Sequence, residues 1–511
     1  QFNYSPAGIY RQNNWVATMR CPTTKFWGGE VYSKTNRFGR YQAHGTLEVM
    51  YDGAMENSGF PKKNASLGTK VTGGWDWNVE AGATTVHYTS WKEMMPNKNV
   101  TDRFDQYSKT TNFAGALAWK DCGMFGAEFD QDDSWGSLRF VPTNLTFKKS
   151  VYAFDGMLIS LGSNISASGA YGDDMITATN LFQGIDSEVS GDLVVNGETM
   201  AAGAEAKTND SSADLWMVTP QGTGYFVPQG NDPIIIKHGE QSSPNETGDN
   251  VDDPVTVTAA KAYINHGVKT SGKEYVFVAV PATNATDMAE LAAKMANKGG
   301  EIFEIKAQNE KLHALAYKPA KVTAYSIFTA VDGLNFGRLK STASEMLLME
   351  KPGVNDKMLS LAISNPNLRP QKDGNDPEGK RWIATPTQTS IVLDGEWVLN
   401  GDAIDGVTIT PQSDKTTKID LTLTEGEPVY IDLVDKDAVG ITTVDQSEQA
   451  HVYTAGHDVF VVNAVGTAMV YDVAGQVIKS VDVDGSARFT LDQQGCYIVK
   501  ISDKTVKVVI R

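Results

Sequence analysis

Short runs of β-branched and aromatic residues, broken by Gly, Asn, Asp or Pro, limit what this chain can fold into. Residues 46–51 (TLEVMY), 149–154 (KSVYAF), 157–161 (MLISL) and 274–280 (EYVFVAV) are the clearest examples. Regular spacing without intervening helical periods favours antiparallel sandwiches over a βαβ sheet. One helix is expected. Thr286 is placed to cap it, and Met288, Leu291, Ala292 and Met295 form one apolar stripe before the stop at Gly299 and Gly300. Its expected role is packing on a sheet. The polar segments 237–254 and 365–380 read as exposed loops, the second punctuated by Pro366, Pro370 and Pro377. A chain of 511 residues has room for about three domains. The β patterns divide at about residues 345 and 445, giving domains over 1–345, 346–445 and 446–511.

Charge is unevenly spread. The chain carries a net −17, yet within residues 1–47 Arg11, Arg20, Lys25, Lys34, Arg37 and Arg40 stand against Glu30 alone. Such a patch is expected to meet an anion, and a guanidinium suits a carboxylate or sulfate through two parallel hydrogen bonds. The plainer alternative is a solvated basic strand face. The acidic balance elsewhere argues against nucleic acid as a partner. No apolar run reaches the roughly 20 residues of a membrane span. Gln1 heads neither a signal peptide nor an initiator methionine sequence, and is expected to be a cut end. Cys21, Cys122 and Cys496 define no disulfide framework; Cys21 with Cys122, or buried thiols, both remain open. Seven scattered histidines give no metal-binding spacing, so no cofactor is expected to be required. The acidic loops at Asp130, Asp132 and Asp133 and at Asp173 and Asp174 could hold a structural calcium, or be solvated turns.

Tryptophans crowd the first quarter of the chain, with Trp15, Trp27, Trp75, Trp77, Trp91, Trp119 and Trp135. A sugar-stacking cleft and an indole-rich core both fit that crowding. Trp75 and Trp77 alternate with Asp76 and Asn78, so a strand would put both indoles on one face.

Five blocks resemble polysaccharide lyase family eight, in the branch of the chondroitin sulfate ABC lyases. They are residues 36–45 (NRFGRYQAHG), 74–85 (GWDWNVEAGATT), 148–151 (KKSV), 161–165 (LGSNI) and 179–183 (TNLFQ), in family order. The resemblance implies a mainly β fold: a large antiparallel super-sandwich, a smaller β-sandwich, and a small immunoglobulin-like β domain at the end. It implies a glycosaminoglycan lyase acting by β-elimination at uronic acid on chondroitin or dermatan sulfate, with hyaluronan as a further candidate. The implied partners are an anionic polysaccharide and an α-helical toroid, upstream or on a separate chain, which supplies the Asn, His, Tyr and Arg of the site. Without that toroid the chain is expected to be inactive by itself, and to be monomeric.

Carried onto this sequence, the resemblance makes Glu30 the catalytic carboxylate, in an orienting role. Within the same blocks, Asn36, Arg37, Arg40, Tyr41, His44, Trp75, Trp77 and Asn78 are the candidate substrate-binding residues. Residues 470–477 (VYDVAGQV) and 495–500 (GCYIVK) are similar to the sorting modules that end secreted Bacteroidetes proteins. That likeness implies a secreted, cell-surface or periplasmic protein. The rival reading is a non-catalytic carbohydrate-binding or adhesion protein that kept the sandwich and lost the toroid.

Overall fold

The computed structural model describes residues 4–32, 34–52, 59–61, 63–64, 70–71, 73–96, 103–133, 141–189, 191–353, 356–438, 451–455, 457–501 and 504–510. The chain forms two compact units, residues 1–437 and 438–511. It is mainly β, with every strand pairing among the described residues antiparallel.

In the first unit, strands buried on both faces explain the runs of apolar residues. Thr146–Phe154 and Met157–Ser166 pair at the middle of a nine-stranded sheet with Lys273–Val280 and Cys122–Asp130. Successive side chains point to opposite faces. Val151 and Leu158 therefore enter one core, while Tyr152 and Ile159 enter another. The first core is closed by a five-stranded sheet that includes Ile234–Ser243, Val255–Val268 and Ile176–Ile185. The second is closed by the helix and by a seven-stranded sheet that includes Val322–Ile327, Met346–Pro352 and Met358–Ser364. Leu347 and Met349 face that core, whereas Leu348 turns to a third core shared with Ile391 and Ile419 of a four-stranded sheet. Four sheets are thus stacked, and each inner sheet is apolar on both sides.

Val322–Ile327 is hydrogen-bonded to Met346–Pro352 across residue 345, and the two compact units divide after residue 437. The boundary expected near 445 lies outside the described residues. Two expectations need correction. Residues 237–243 are not loop but part of strand Ile234–Ser243, paired along its length with Val255–Val268. The helix, Ala285–Gly299, is capped by Asn284, whose side chain accepts from the Thr286 and Asp287 N–H groups. Met288, Ala292 and Met295 are its buried stripe, as expected, with Leu291 packed at the edge. Trp75 lies in irregular structure and Trp77 in a turn.

The second unit has five strands, His451–Ala455, Asp458–Tyr471, Val477–Thr490, Gly495–Ile501 and Lys504–Ile510. Val459, Val461, Val470, Val499 and Ile501 make its core. The three cysteines are free thiols, and burial pushes that of Cys21 up to about 12.

Candidate functional site

Glu30 opens the strand Glu30–Tyr32, which pairs with Arg103–Asp105 to make a two-stranded ribbon. Gly28 and Gly29 bring the chain into it, exchanging backbone hydrogen bonds with Gln106 at 3.0 and 2.8 Å. Only glycine fits at position 28, since a Cβ there would stand 2.4 Å from that of Ala43. The Glu30 side chain is half-buried, and its Oε2 accepts the Tyr32 hydroxyl at 2.5 Å. Asn36 donates to the Glu30 carbonyl at 2.7 Å and lies 3.4 Å from Gln42 Oε1. Trp27, three residues earlier, is 44% exposed. Glu30 and Asp105 are directly opposed, so two carboxylates share one face of the ribbon.

Arg37 and Arg40 are both buried. Arg37 is 1% exposed and donates to the carbonyls of Pro96 and Thr247, while its own N–H bonds the Glu246 carbonyl at 2.9 Å. Its guanidinium fastens the 244–250 turn to the sandwich. Arg40 has no exposed surface, pairs with Asp133 at 3.0 Å and lies 5.4 Å from the Tyr88 ring centre. Asp133 also accepts the N–H groups of Thr143 and Asn144, so the pair holds together two distant loops. In this structure both guanidiniums bond to protein partners.

The remaining expected contacts are buried as well. Tyr41 is 1% exposed, and its hydroxyl bonds the Val86 carbonyl at 2.5 Å. His44 is equally buried, edge-on to Phe129 at 4.5 Å; burial and the nearby Arg40 charge hold its pKa well below the usual value. This imidazole is enclosed in the core. Trp77 stacks on Phe38 at 5.5 Å and donates to the Pro244 carbonyl at 2.9 Å. Trp75 lies 3.3 Å from Glu80 Oε1 through its indole nitrogen. Asn78 locks the turn at Tyr88, donating to its carbonyl at 3.0 Å and accepting its N–H at 2.8 Å. Of the tryptophans, Trp15, Trp75, Trp77 and Trp119 are core, Trp91 packs at its edge, and Trp135 lies outside the described residues.

The structure therefore joins Glu30 with Asn36 and buries the other seven residues. It adds Tyr32 and Gln42, which stand in the same polar run, and Gln106, which no local signal in the sequence connects to Glu30. Gln106 reaches the turn through a 2.7 Å bond to the Gly39 carbonyl. Among the described residues, no group of three or more His, Cys, Asp and Glu side chains is placed to hold a metal ion. In the acidic loops Asp133 pairs with Arg40, Asp130 accepts from Thr110 at 2.6 Å, and Asp173 pairs with Lys269 at 2.8 Å.

Residues 1–292 match the family described as polysaccharide lyase family 8, super-sandwich domain. The chain is similar to the chondroitin sulfate ABC endolyase of Proteus vulgaris, 25% identical over 398 residues that span 78% of this chain and 35% of that protein. It is also similar to the chondroitin sulfate ABC exolyase of Bacteroides thetaiotaomicron, 27% identical over 427 residues, 77% of this chain and 37% of that one. The chain thus spans little more than a third of the length of these curated relatives. In fold it resembles the Paenibacillus xanthan lyase, with a TM-score of 0.63 at 14% identity over 99% of this chain and 49% of that one. The Streptomyces coelicolor A3 chondroitin AC lyase in complex with chondroitin sulphate gives 0.59 at 14% identity, over 84% and 49%.

Proposed function

The chain belongs to polysaccharide lyase family 8, and from that premise we propose that residues 1–437 are the β half of a glycosaminoglycan lyase. The observation that carries this reading is Glu30, half-exposed on a short ribbon, with its carboxylate backed by the Tyr32 hydroxyl. The named activities of the curated relatives point to chondroitin sulfate as the first substrate to try.

β-Elimination at a uronate needs three things: neutralisation of its carboxylate, removal of the C5 proton, and departure of the group on C4. The first two require donors aimed at developing charge and a base within reach. The ribbon supplies neither, because Arg37, Arg40 and His44 are enclosed. Glu30 can instead accept from an N–H of a catalytic side chain and hold it in line, with Asp105 adding negative potential. In this reading the proton-moving groups come from a helical toroid, and Trp27 offers an indole face to the sugar chain. Export and surface retention through residues 451–510 belong to the same proposal.

The test follows unsaturated uronate by its ultraviolet absorbance after chondroitin sulfate is added to the full polypeptide, including whatever precedes Gln1. Glu30→Gln keeps the shape and removes the charge. It is expected to lower kcat on the order of 100-fold, the cost of a misplaced catalytic group, with KM little changed. Unchanged turnover would remove Glu30 from the site. Glycan binding without any turnover would favour the adhesion reading.

A further inference from the structure

The seven-stranded sheet carries a cavity apart from the Glu30 ribbon. Its volume is about 440 Å³, and Lys318, Lys321, Thr323, Arg338 and Glu350 are among its lining residues. Cavities of this size commonly take small molecules. Glu350 lies on the strand Met346–Pro352 and is 2% exposed. Its Oε1 is satisfied, accepting the Tyr325 hydroxyl at 2.9 Å and the Arg338 N–H at 2.8 Å. Its Oε2 has no hydrogen-bond partner among the described residues. Native interiors rarely leave such an oxygen alone, because the desolvation cost is not recovered.

The surroundings are specifically shaped. Gly337 has a φ of +65°, and a Cβ there would come within 2.1 Å of both Glu350 Oε1 and the Tyr325 hydroxyl. Glycine is what lets the backbone close over the carboxyl. Cations outnumber acids in the lining, with Asp356 beside Glu350 as the second acid. Lys318 donates to the Gly300 carbonyl, and Arg338 stands 3.6 Å from Asp394. Lys321 is exposed and has no ion-pair partner among the described residues.

We propose that this cavity binds an anionic, hydroxyl-bearing sugar unit, with Glu350 Oε2 taking a ring hydroxyl and Lys321 taking the carboxylate or sulfate. A hydroxyl fits Oε2 in either protonation state, because it donates to a carboxylate and accepts from a carboxylic acid. That versatility matters here, since burial pushes the Glu350 pKa up. An apolar ligand would leave Oε2 unpaired, and a cationic one would face the three rim cations. The site goes beyond the lyase reading, because it needs neither Glu30 nor turnover.

The experiment is calorimetric titration of the whole chain with an unsaturated chondroitin sulfate disaccharide, a lyase product and so not consumed. Four proteins are compared: the natural chain, Glu30→Gln, Lys321→Ala and Thr323→Trp. Binding is expected to survive Glu30→Gln and to weaken about 10-fold in Lys321→Ala, as one charge-assisted hydrogen bond is lost. It is expected to vanish in Thr323→Trp, whose indole fills the cavity. Lys321 is exposed, so its variant tests the site without endangering the fold. A crystal soaked with the same disaccharide should show it against Glu350. No heat of binding at about 10 mM disaccharide, or affinity unchanged in both Lys321→Ala and Thr323→Trp, overturns the proposal. Binding lost only in Glu30→Gln also overturns it, and would support the lyase site instead. Turnover unaffected by Glu30→Gln would sink that lyase reading and leave the cavity standing.

Discussion

Glu30 and Arg40 stand ten positions apart in one polar run, yet they meet opposite fates. Glu30 is half-exposed on a two-stranded ribbon, whereas Arg40 has no exposed surface and is paired with Asp133. The run looks uniform because both jobs need polar side chains. Presenting a group to a ligand requires a short, open element with a supporting hydrogen bond. Fixing that element requires charges buried where they can tie loops together. The same 15 or so residues do both, so density of polar groups does not separate the site from its scaffold.

The largest expected effect lies on the scaffold side. Asp133→Ala removes a charge partner of the buried Arg40 guanidinium and frees the Thr143 and Asn144 N–H groups. Breaking a buried pair from one side costs about 3–5 kcal/mol, which denaturant unfolding of the first unit should report. A loss below about 1 kcal/mol would mean that Arg40 is better solvated than its burial implies. Next is Arg37→Ala, which leaves the Pro96 and Thr247 carbonyls without their donor. About 2–3 kcal/mol is expected, with faster amide exchange in the 244–250 turn. Its affinity for chondroitin sulfate should be unchanged; a selective loss of affinity with intact stability would restore Arg37 to the site.

A smaller, pH-dependent effect comes from Glu80. Burial, and then the charge of Glu48, raise its carboxyl to about 8, against an ordinary value near 4.5. A raised carboxyl binds its proton more tightly when folded. Its contribution is therefore complete below about pH 4.5 and is lost as the pH rises through about 8. The buried histidines act in the reverse sense. Burial lowers His313 to about 3 and His87 to about 4, so their contribution is present above about 6.5 and fades as the pH falls. Glu80→Gln keeps the hydrogen-bonding shape facing Trp75. It should stabilise the protein by about 1–2 kcal/mol above pH 8, with little change at pH 5, in thermal unfolding across that range. An identical pH profile for both proteins would show that Glu80 ionises freely. The smallest effect returns to Glu30. Glu30→Gln should move stability by less than about 0.5 kcal/mol, because the group is partly solvated and sits opposite another carboxylate. A larger destabilisation would make Glu30 part of the scaffold, like Arg40.

Much of the β architecture was legible because side-chain alternation is local. The strands Thr46–Tyr51 and Lys273–Val280 are found where the apolar runs place them. The helix stripe was equally readable, while its cap moved by two residues to Asn284, which alone offers a side-chain oxygen to both free N–H groups. The strand Ile234–Ser243 was not legible at its polar end. His238, Gln241 and Ser243 look like loop residues, yet each is buried; His238 bonds Met200 and Asp186, and Gln241 bonds Gly74 and Gln183. Around Trp75 and Trp77 the chain is irregular, with the Asp76 N–H bonded to Gln183 and the Trp77 indole to the Pro244 carbonyl, contacts that no local pattern reveals.

The sequence alone determined that the chain is a stack of antiparallel sheets, and that its first 45 residues carry a family-specific run with Glu30 in it. Period-two patterning, turn residues and motif order are properties of neighbours along the chain. Only the tertiary structure decided which of those polar residues face solvent. Arg40 is an anchor because Asp133 folds back onto it, and Arg37 because the turn after Ile234–Ser243 closes over it. Burial of a charge depends on a partner brought from far away, and that pairing is made by the packing of the whole sandwich.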